Sequence, residues 1–223
     1  MRDVMLVVLD MAGTTVEDAG QVPAAFTAAL AEHGIALTPE QVSAVRGASK
    51  RQAIAELVEA HGGPGVRGHA NAVYAAFRSH LERRFAQGVR PLDGAAGTIA
   101  WLRERGVRVA LTTGFDRDIT DLLLRALAWR GAVDAVVCGD EVPRGRPAPY
   151  LIFRAMEATG VDSVHHVASV GDTALDLRAG HNAGVRLNVG VLSGAHTRAQ
   201  LEREPHTHLL PSVADLPALW PAR

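Results

Sequence analysis

Of the 23 basic residues in this chain of 223, 22 are arginine and one, Lys50, is lysine. A drift of lysine to arginine wherever either serves would leave lysine only where a guanidinium fails. Chemistry that needs an amine able to lose its proton is such a place, because guanidinium stays charged whereas a lysine pKa moves with its surroundings; a chance leftover is the alternative. A second reactive set is spread along the chain: Asp10 at the head of Asp10-Met11-Ala12-Gly13-Thr14-Thr15, then Thr112-Thr113-Gly114, then Gly145-Arg146-Pro147, then Gly171-Asp172-Thr173 with Asp176. Together these supply acids, hydroxyl and backbone donors, and a cation. That set suits phosphoryl chemistry: a carboxylate nucleophile, a hard divalent cation such as Mg²⁺ shared by acids and phosphate oxygens, and positive charge on what remains. Taken singly, each has a plainer reading. Asp10 could cap a turn, Asp172 could be the N-cap of a helix, and Arg146 and Asp176 could be solvated charges.

What decides between these readings is where the chain places them. Val4 to Asp10 is a nearly continuous apolar run, the pattern of a central parallel strand covered on both faces, and a loop follows from Met11 to Glu17. From Pro23 to Gln87 the pattern is helical: Pro23 to His33, stopped by Gly34; a helix opened by Thr38-Pro39-Glu40-Gln41 and ending near Gly47; one from Lys50 to about Glu59; and, after the Gly/Pro-rich His61 to Gly68, a long one to Ala86. After Pro91 helices and strands alternate: helix Gly94 to Arg105, strand Val107 to Thr112, helix Asp116 to Trp129, strand Ala132 to Val137, helix Pro149 to Thr159, strand His166 to Val170, helix Ala174 to Ala183, strand Val185 to Val191. The expected fold is α/β: a Rossmann-like, doubly wound parallel sheet built from residues 1–18 and 91–223, with residues 19–90 inserted after the first strand as an all-helical cap. In such sheets ligands bind beyond the carboxyl ends of the strands, where all four polar groups fall.

Composition removes other classes. A formal net charge of −1 gives no electrostatic pull toward nucleic acid or an anionic membrane, and 48% apolar with 21% charged residues is ordinary globular usage. The opening apolar run is too short for a membrane span, and the single cysteine, Cys138, excludes an internal disulfide, so the chain reads as cytoplasmic. His165, His166, His206 and His208 lack a supporting ligand set and read as ordinary placements.

The ordered motifs Asp10-Met11-Ala12-Gly13-Thr14-Thr15, Thr112-Thr113-Gly114, Gly145-Arg146-Pro147 and Gly171-Asp172-Thr173 with Asp176 resemble the haloacid dehalogenase superfamily, in particular its phosphonoacetaldehyde hydrolase branch. Gly47-Ala48-Ser49-Lys50 is similar to that branch's G-x-x-K, whose lysine forms an imine with substrate. The resemblance implies Asp10 as nucleophile and Mg²⁺ held by Asp10, the Ala12 carbonyl and Asp172, with Thr173 and Asp176 behind them. It implies binding of a small phosphonate or phosphate by Ala12, Gly13, Thr14, Thr113, Gly114, Arg146 and Gly47, to which Arg46 is added as a candidate of this chain's own, and a homodimer paired through the cap.

Superfamily phosphatases carry a second Asp two residues after the nucleophile, as acid and base for the leaving oxygen; here that residue is Ala12. An ester's departing alkoxide wants a proton, but a carbanion leaving phosphorus wants an electron sink, which a protonated lysine imine supplies. Ala12 and Lys50 thus point together to cleavage of a C–P bond in phosphonoacetaldehyde or a related phosphono-aldehyde. The phosphonatase pattern also has Met before the G-x-x-K glycine, His three after the lysine and Tyr after T-T-G, where this chain has Arg46, Ala53 and Phe115. Arg46 would depress the Lys50 amine if one helix ran through Gly47, and otherwise would bind the phosphonate or face solvent. A phosphate-monoester phosphatase is the alternative enzyme, dehalogenation fits less well because it does not need Asp172, and a phosphometabolite-binding module without turnover is the non-enzymatic alternative.

Overall fold

The computed structural model describes residues 3–63, 65, 66 and 68–220; Pro64 and Arg67 of the expected Gly/Pro-rich connection, and the two extremities of the expected core, lie outside them. Six parallel strands form one sheet: β1 (Leu6–Asp10), β2 (Arg108–Thr112), β3 (Ala135–Val137), β4 (Val167–Gly171), β5 (Leu187–Val191) and β6 (His208–Leu210), in the order β3-β2-β1-β4-β5-β6. Every residue of β1 is buried, which is why the sequence shows an unbroken apolar run there and not an alternation. Leu6 and Val8 join an apolar cluster on one face, with Leu151, Ile152 and Ala155 of a helix spanning Tyr150–Thr159, while Val7 and Leu9 join the larger cluster on the other.

Register fixes where the sheet's reactive edge lies. Asp10 is the last residue of β1, opposite Thr112 of β2, and Asp172 follows directly on β4, which flanks β1 on its other side. The chain runs outward from β1 through β2 to β3 and then returns to β4, so β1 and β4 bracket the point where the winding reverses. Loops at such a point diverge and leave a crevice.

Four helices lie between β1 and the rest of the sheet: α1 (Gln21–Glu32), α2 (Pro39–Ala44), α3 (Lys50–His61) and α4 (Ala70–Phe85). Thr38 opens α2 as expected, its hydroxyl accepting from the Gln41 N–H at 3.3 Å while the Gln41 carboxamide accepts from the Thr38 N–H at 2.8 Å. Contrary to expectation, α2 stops at Ala44, and Gly47, at φ +82°, turns the chain before α3. The insertion leaves and rejoins the core side by side, with the Glu17 N–H donating to the Arg90 carbonyl at 3.0 Å and the Leu92 N–H to the Thr15 carbonyl at 3.0 Å. It is also tied down. The first N–H of α3, from Lys50, donates to the Gly114 carbonyl at 3.0 Å, and Arg51 pairs with Asp116 at 3.0 Å.

The core continues with α5 (Ala95–Arg103), α6 (Arg117–Ala126), α7 (Tyr150–Thr159), α8 (Ala174–Ala183) and α9 (Arg198–Leu201). The strand β6 and a 3₁₀ helix over Val213–Leu219 were not expected; the latter covers α5, and Trp220 beyond it meets Trp101 edge-on with centroids 5.7 Å apart. Within the insertion, fully buried Phe77 of α4 packs edge-on against Phe26 of α1 with centroids 5.6 Å apart, in the same apolar cluster as Val7 and Leu9. Phe77→Ala should lower the unfolding free energy by about 3–5 kcal/mol, read from the midpoint shift in chemical denaturation.

Candidate active site

Three buried carboxylates meet at the carboxyl edge of β1 and β4: one oxygen each from Asp10, Asp172 and Asp176 lie within 4.8 Å of one another. Each is held by a specific local device. Asp172 is not the cap of α8, a role Thr173 takes, its hydroxyl accepting from the Asp176 N–H at 3.3 Å. The Asp172 oxygens are fixed instead by the Thr14 hydroxyl at 3.1 Å and the Ala195 N–H at 2.6 Å. Asp176 accepts from the Thr173 N–H at 3.1 Å through one oxygen and takes Arg146 Nε at 2.9 Å with the other.

Arg146 is the compensating cation. Only 7% exposed, it reaches Asp10 at 2.7 Å and Asp176 at 2.9 Å, and it donates to the Thr112 hydroxyl at 2.7 Å and the Gly47 carbonyl at 3.3 Å. One guanidinium against three carboxylates leaves an excess of negative charge in a desolvated place. Burial first, and then the charges of Asp176 and Asp172, push the Asp10 carboxyl well above its ordinary range although Arg146 pulls the other way; burial and Asp176 raise Asp172 to about 6. Such a cluster of hard oxygens is one that a divalent cation relieves, and the residues therefore fit a metal site.

Lys50, 7% exposed, lies in the same cavity, a space of about 40 Å³ lined also by Asp10, Ala12, Asp18, Arg46, Gly114, Phe115, Arg146 and Asp172. Its amine donates to the Ala48 carbonyl at 2.9 Å and sits 5.6 Å from the centre of the Phe115 ring. Burial lowers its pKa to about 8; Asp10 opposes the shift, and Arg146 adds to it more than Arg46 does. Arg46 lies on no common helix with Lys50: past the end of α2, it pairs with Asp18 at 2.7 Å, neither free in solvent nor unpartnered.

The other expected contacts are brought together on different terms. Gly13, at φ +93°, and Gly47 are close-approach positions: a Cβ on Gly13 would strike the Asp172 carboxylate, and one on Gly47 the Thr173 hydroxyl. Gly114 is likewise pressed under the Ala48 carbonyl. The Thr113 N–H is spent on the Val137 carbonyl at 3.1 Å and its hydroxyl accepts from the Phe115 N–H at 3.1 Å, so only the O–H remains for a ligand. Sequence reasoning passed over Asp18 and the Ser193-Gly194-Ala195 loop after β5, whose serine donates to the Gly13 carbonyl at 2.9 Å. The signal for that loop was its position at a strand's carboxyl end; Asp18 gave none.

The sequence matches the haloacid dehalogenase-like hydrolase family over residues 4–184, most of the chain. The chain belongs to that family. Within it, this hydrolase is 31% identical over 213 residues to the phosphonoacetaldehyde hydrolase of Bacillus cereus, covering 89% of the chain and 79% of the relative. It is 35% identical over 133 residues to that of Parabacteroides distasonis, covering 59% and 50%. Its fold is that of a phosphonoacetaldehyde hydrolase-like protein from Oleispira antarctica, with TM-score 0.85 at 22% identity over 97% of this chain and 91% of that one. A hydrolase from Pseudomonas syringae superposes equally well, with TM-score 0.85 at 23% identity over 96% and 95%.

No helix among the described residues of the hydrolase is long and apolar enough to cross a membrane. Asp172→Asn should weaken divalent-cation binding, with Mg²⁺ as the probe in calorimetry, by about 100-fold or more, beyond what loss of an outer-shell partner usually produces.

Proposed function

We propose that this hydrolase cleaves the C–P bond of phosphonoacetaldehyde or a related phosphono-aldehyde, with Lys50 as imine former and Asp10 as nucleophile. The reading is carried by one observation: the chain's single lysine lies buried in the cavity that holds Asp10, while the residue two beyond Asp10 is alanine. The names of the relatives support it. In this reading residues 19–90 cap a core of residues 1–18 and 91–223. Mg²⁺ would be held by Asp10, the Ala12 carbonyl and Asp172, and would supply charge neutralisation to the phosphoryl oxygens.

The neutral Lys50 amine condenses with the aldehyde to a protonated imine. An Asp10 oxygen attacks phosphorus; as the P–O bond forms the P–C bond breaks, and its electron pair runs through the new C=C bond onto the imine nitrogen. The enamine takes a proton on carbon and is hydrolysed to acetaldehyde, freeing Lys50, and water cleaves the aspartyl phosphate. Arg146 and the Thr113 hydroxyl bind phosphoryl oxygens. The alanine at position 12 withholds a proton from an alkoxide leaving group, which sets ester hydrolysis at a disadvantage of about 10² to 10⁴.

Two measurements test this. Borohydride added with phosphonoacetaldehyde should attach a two-carbon fragment to Lys50, seen by mass spectrometry, and Lys50→Arg should cut phosphate release by about 10³-fold or more. A protein that released phosphate from esters as readily, and tolerated Lys50→Arg, would be a phosphatase. The amine, lowered to about 8, is neutral in its reactive form, so imine formation should rise with pH and level off above that value. At pH 7 roughly a tenth of it is neutral, against well under a thousandth for an unperturbed lysine.

A further inference from the structure

Forming an imine on a buried amine moves protons twice, once off nitrogen and once onto departing oxygen, and the lysine cannot do both unaided. The cavity offers few groups for this. Apart from its arginines, the lining residues that carry an acid or an amine are Asp10, Asp18, Lys50 and Asp172. Asp10 is engaged with phosphorus and Asp172 belongs to the acidic cluster, which leaves Asp18. Its side chain is only 6% exposed, although it sits in the connection between β1 and α1 and not in any element. Each of its oxygens is held, one by the Val22 N–H at 3.3 Å and one by Arg46 Nη2 at 2.7 Å. Asp18 is near enough for its charge to act on the amine in the direction opposite to Arg46's. Phe115, whose ring centre lies 5.6 Å from the amine, carries no titratable group.

Resting on the proposed imine chemistry, we propose that Asp18 is the acid–base residue of the lysine half-reaction, aimed by Arg46. The Lys50 ammonium gives one proton to the Asp18 carboxylate. The freed nitrogen attacks the carbonyl carbon; a C–N bond forms, the π pair goes to oxygen, and that oxygen takes a second proton from nitrogen. Asp18 then protonates the hydroxyl, the C–O bond breaks, water leaves, and the nitrogen lone pair becomes the second bond of the imine. Ammonium, aldehyde and carboxylate enter, and iminium, carboxylate and water emerge.

The test uses the full chain loaded with Mg²⁺ and phosphonoacetaldehyde as the probe, and reads the rate of borohydride trapping at Lys50. Absence of trapping in the parent protein would overturn the imine reading itself, and this proposal with it. Given trapping in the parent, Asp18→Asn, which keeps the shape and one of the two acceptor oxygens but no acid, should slow it by about 10² to 10⁴-fold, whereas Asp18→Glu should stay within about tenfold. Trapping by Asp18→Asn within about threefold of the parent would overturn the assignment while leaving the imine standing. Should Asp18→Asn lose Mg²⁺ binding as well, Asp18→Ala decides: recovery of trapping on addition of acetate supports the proton role, and no recovery overturns it.

Discussion

The site is organised by an imbalance of charge. Asp10, Asp172 and Asp176 are drawn together in a buried place, where, among the described residues, the Arg146 guanidinium is the direct ionic partner of Asp10 and Asp176. Like charges at this range are held only if the surrounding fold over-determines their positions. The structure does so by giving Asp172 and Asp176 backbone and hydroxyl donors of their own, by setting Arg146 against Asp10 and Asp176, and by seating two of the carboxylates at the ends of adjacent strands. The excess that remains makes the crevice receptive to a divalent cation. The same burial holds the nearby lysine amine toward its neutral form, so one desolvated space shifts the carboxyl groups and the amine in opposite directions.

Such crowding needs backbone that can come close. At the site, Gly13 against Asp172 and Gly47 against Thr173 each require both a left-handed conformation and a missing Cβ, and the second of them draws the insertion down onto the start of α8. Gly47 also explains why Arg46 departs from the helical position its spacing suggested. Once the chain reverses there, the guanidinium swings toward Asp18, and Lys50 starts a fresh helix whose first N–H is claimed by Gly114 of the core.

Much of this was legible beforehand where local chemistry and tertiary demand coincide. The apolar run of β1 ends on Asp10 because a strand buried on both faces cannot carry a charge until its carboxyl end; α8 begins and ends where its capping threonine and Gly184 place it. The alternation after Pro91 gave the winding, and the winding gave the edge at which acids, hydroxyls and arginine gather. What escaped notice is non-local or weak. The strand β6 is three half-buried residues at the sheet's edge, bounded by histidine and proline, with no periodicity to announce it. The expected strand before Val137 proved shorter for a related reason, since β3 is the opposite edge and has one neighbour to pair with. The Asp18–Arg46 pair joins residues 28 apart through a turn that no propensity specifies. The plainer reading of Asp172 as a helix cap fails because the cap is Thr173, one residue later, and a capping aspartate and a capping threonine look alike in sequence.

The stem through which the insertion enters and leaves has a consequence for how this architecture can vary. Because Glu17 and Arg90 are hydrogen-bonded neighbours, the two ends of everything between them are already closed by the core itself. The entropy of closing a loop grows only logarithmically with its length. Helices can therefore be lengthened, exchanged or remodelled beyond that stem with little penalty to the sheet, so the acidic edge of the sheet and the helices that face it are free to diverge at different rates.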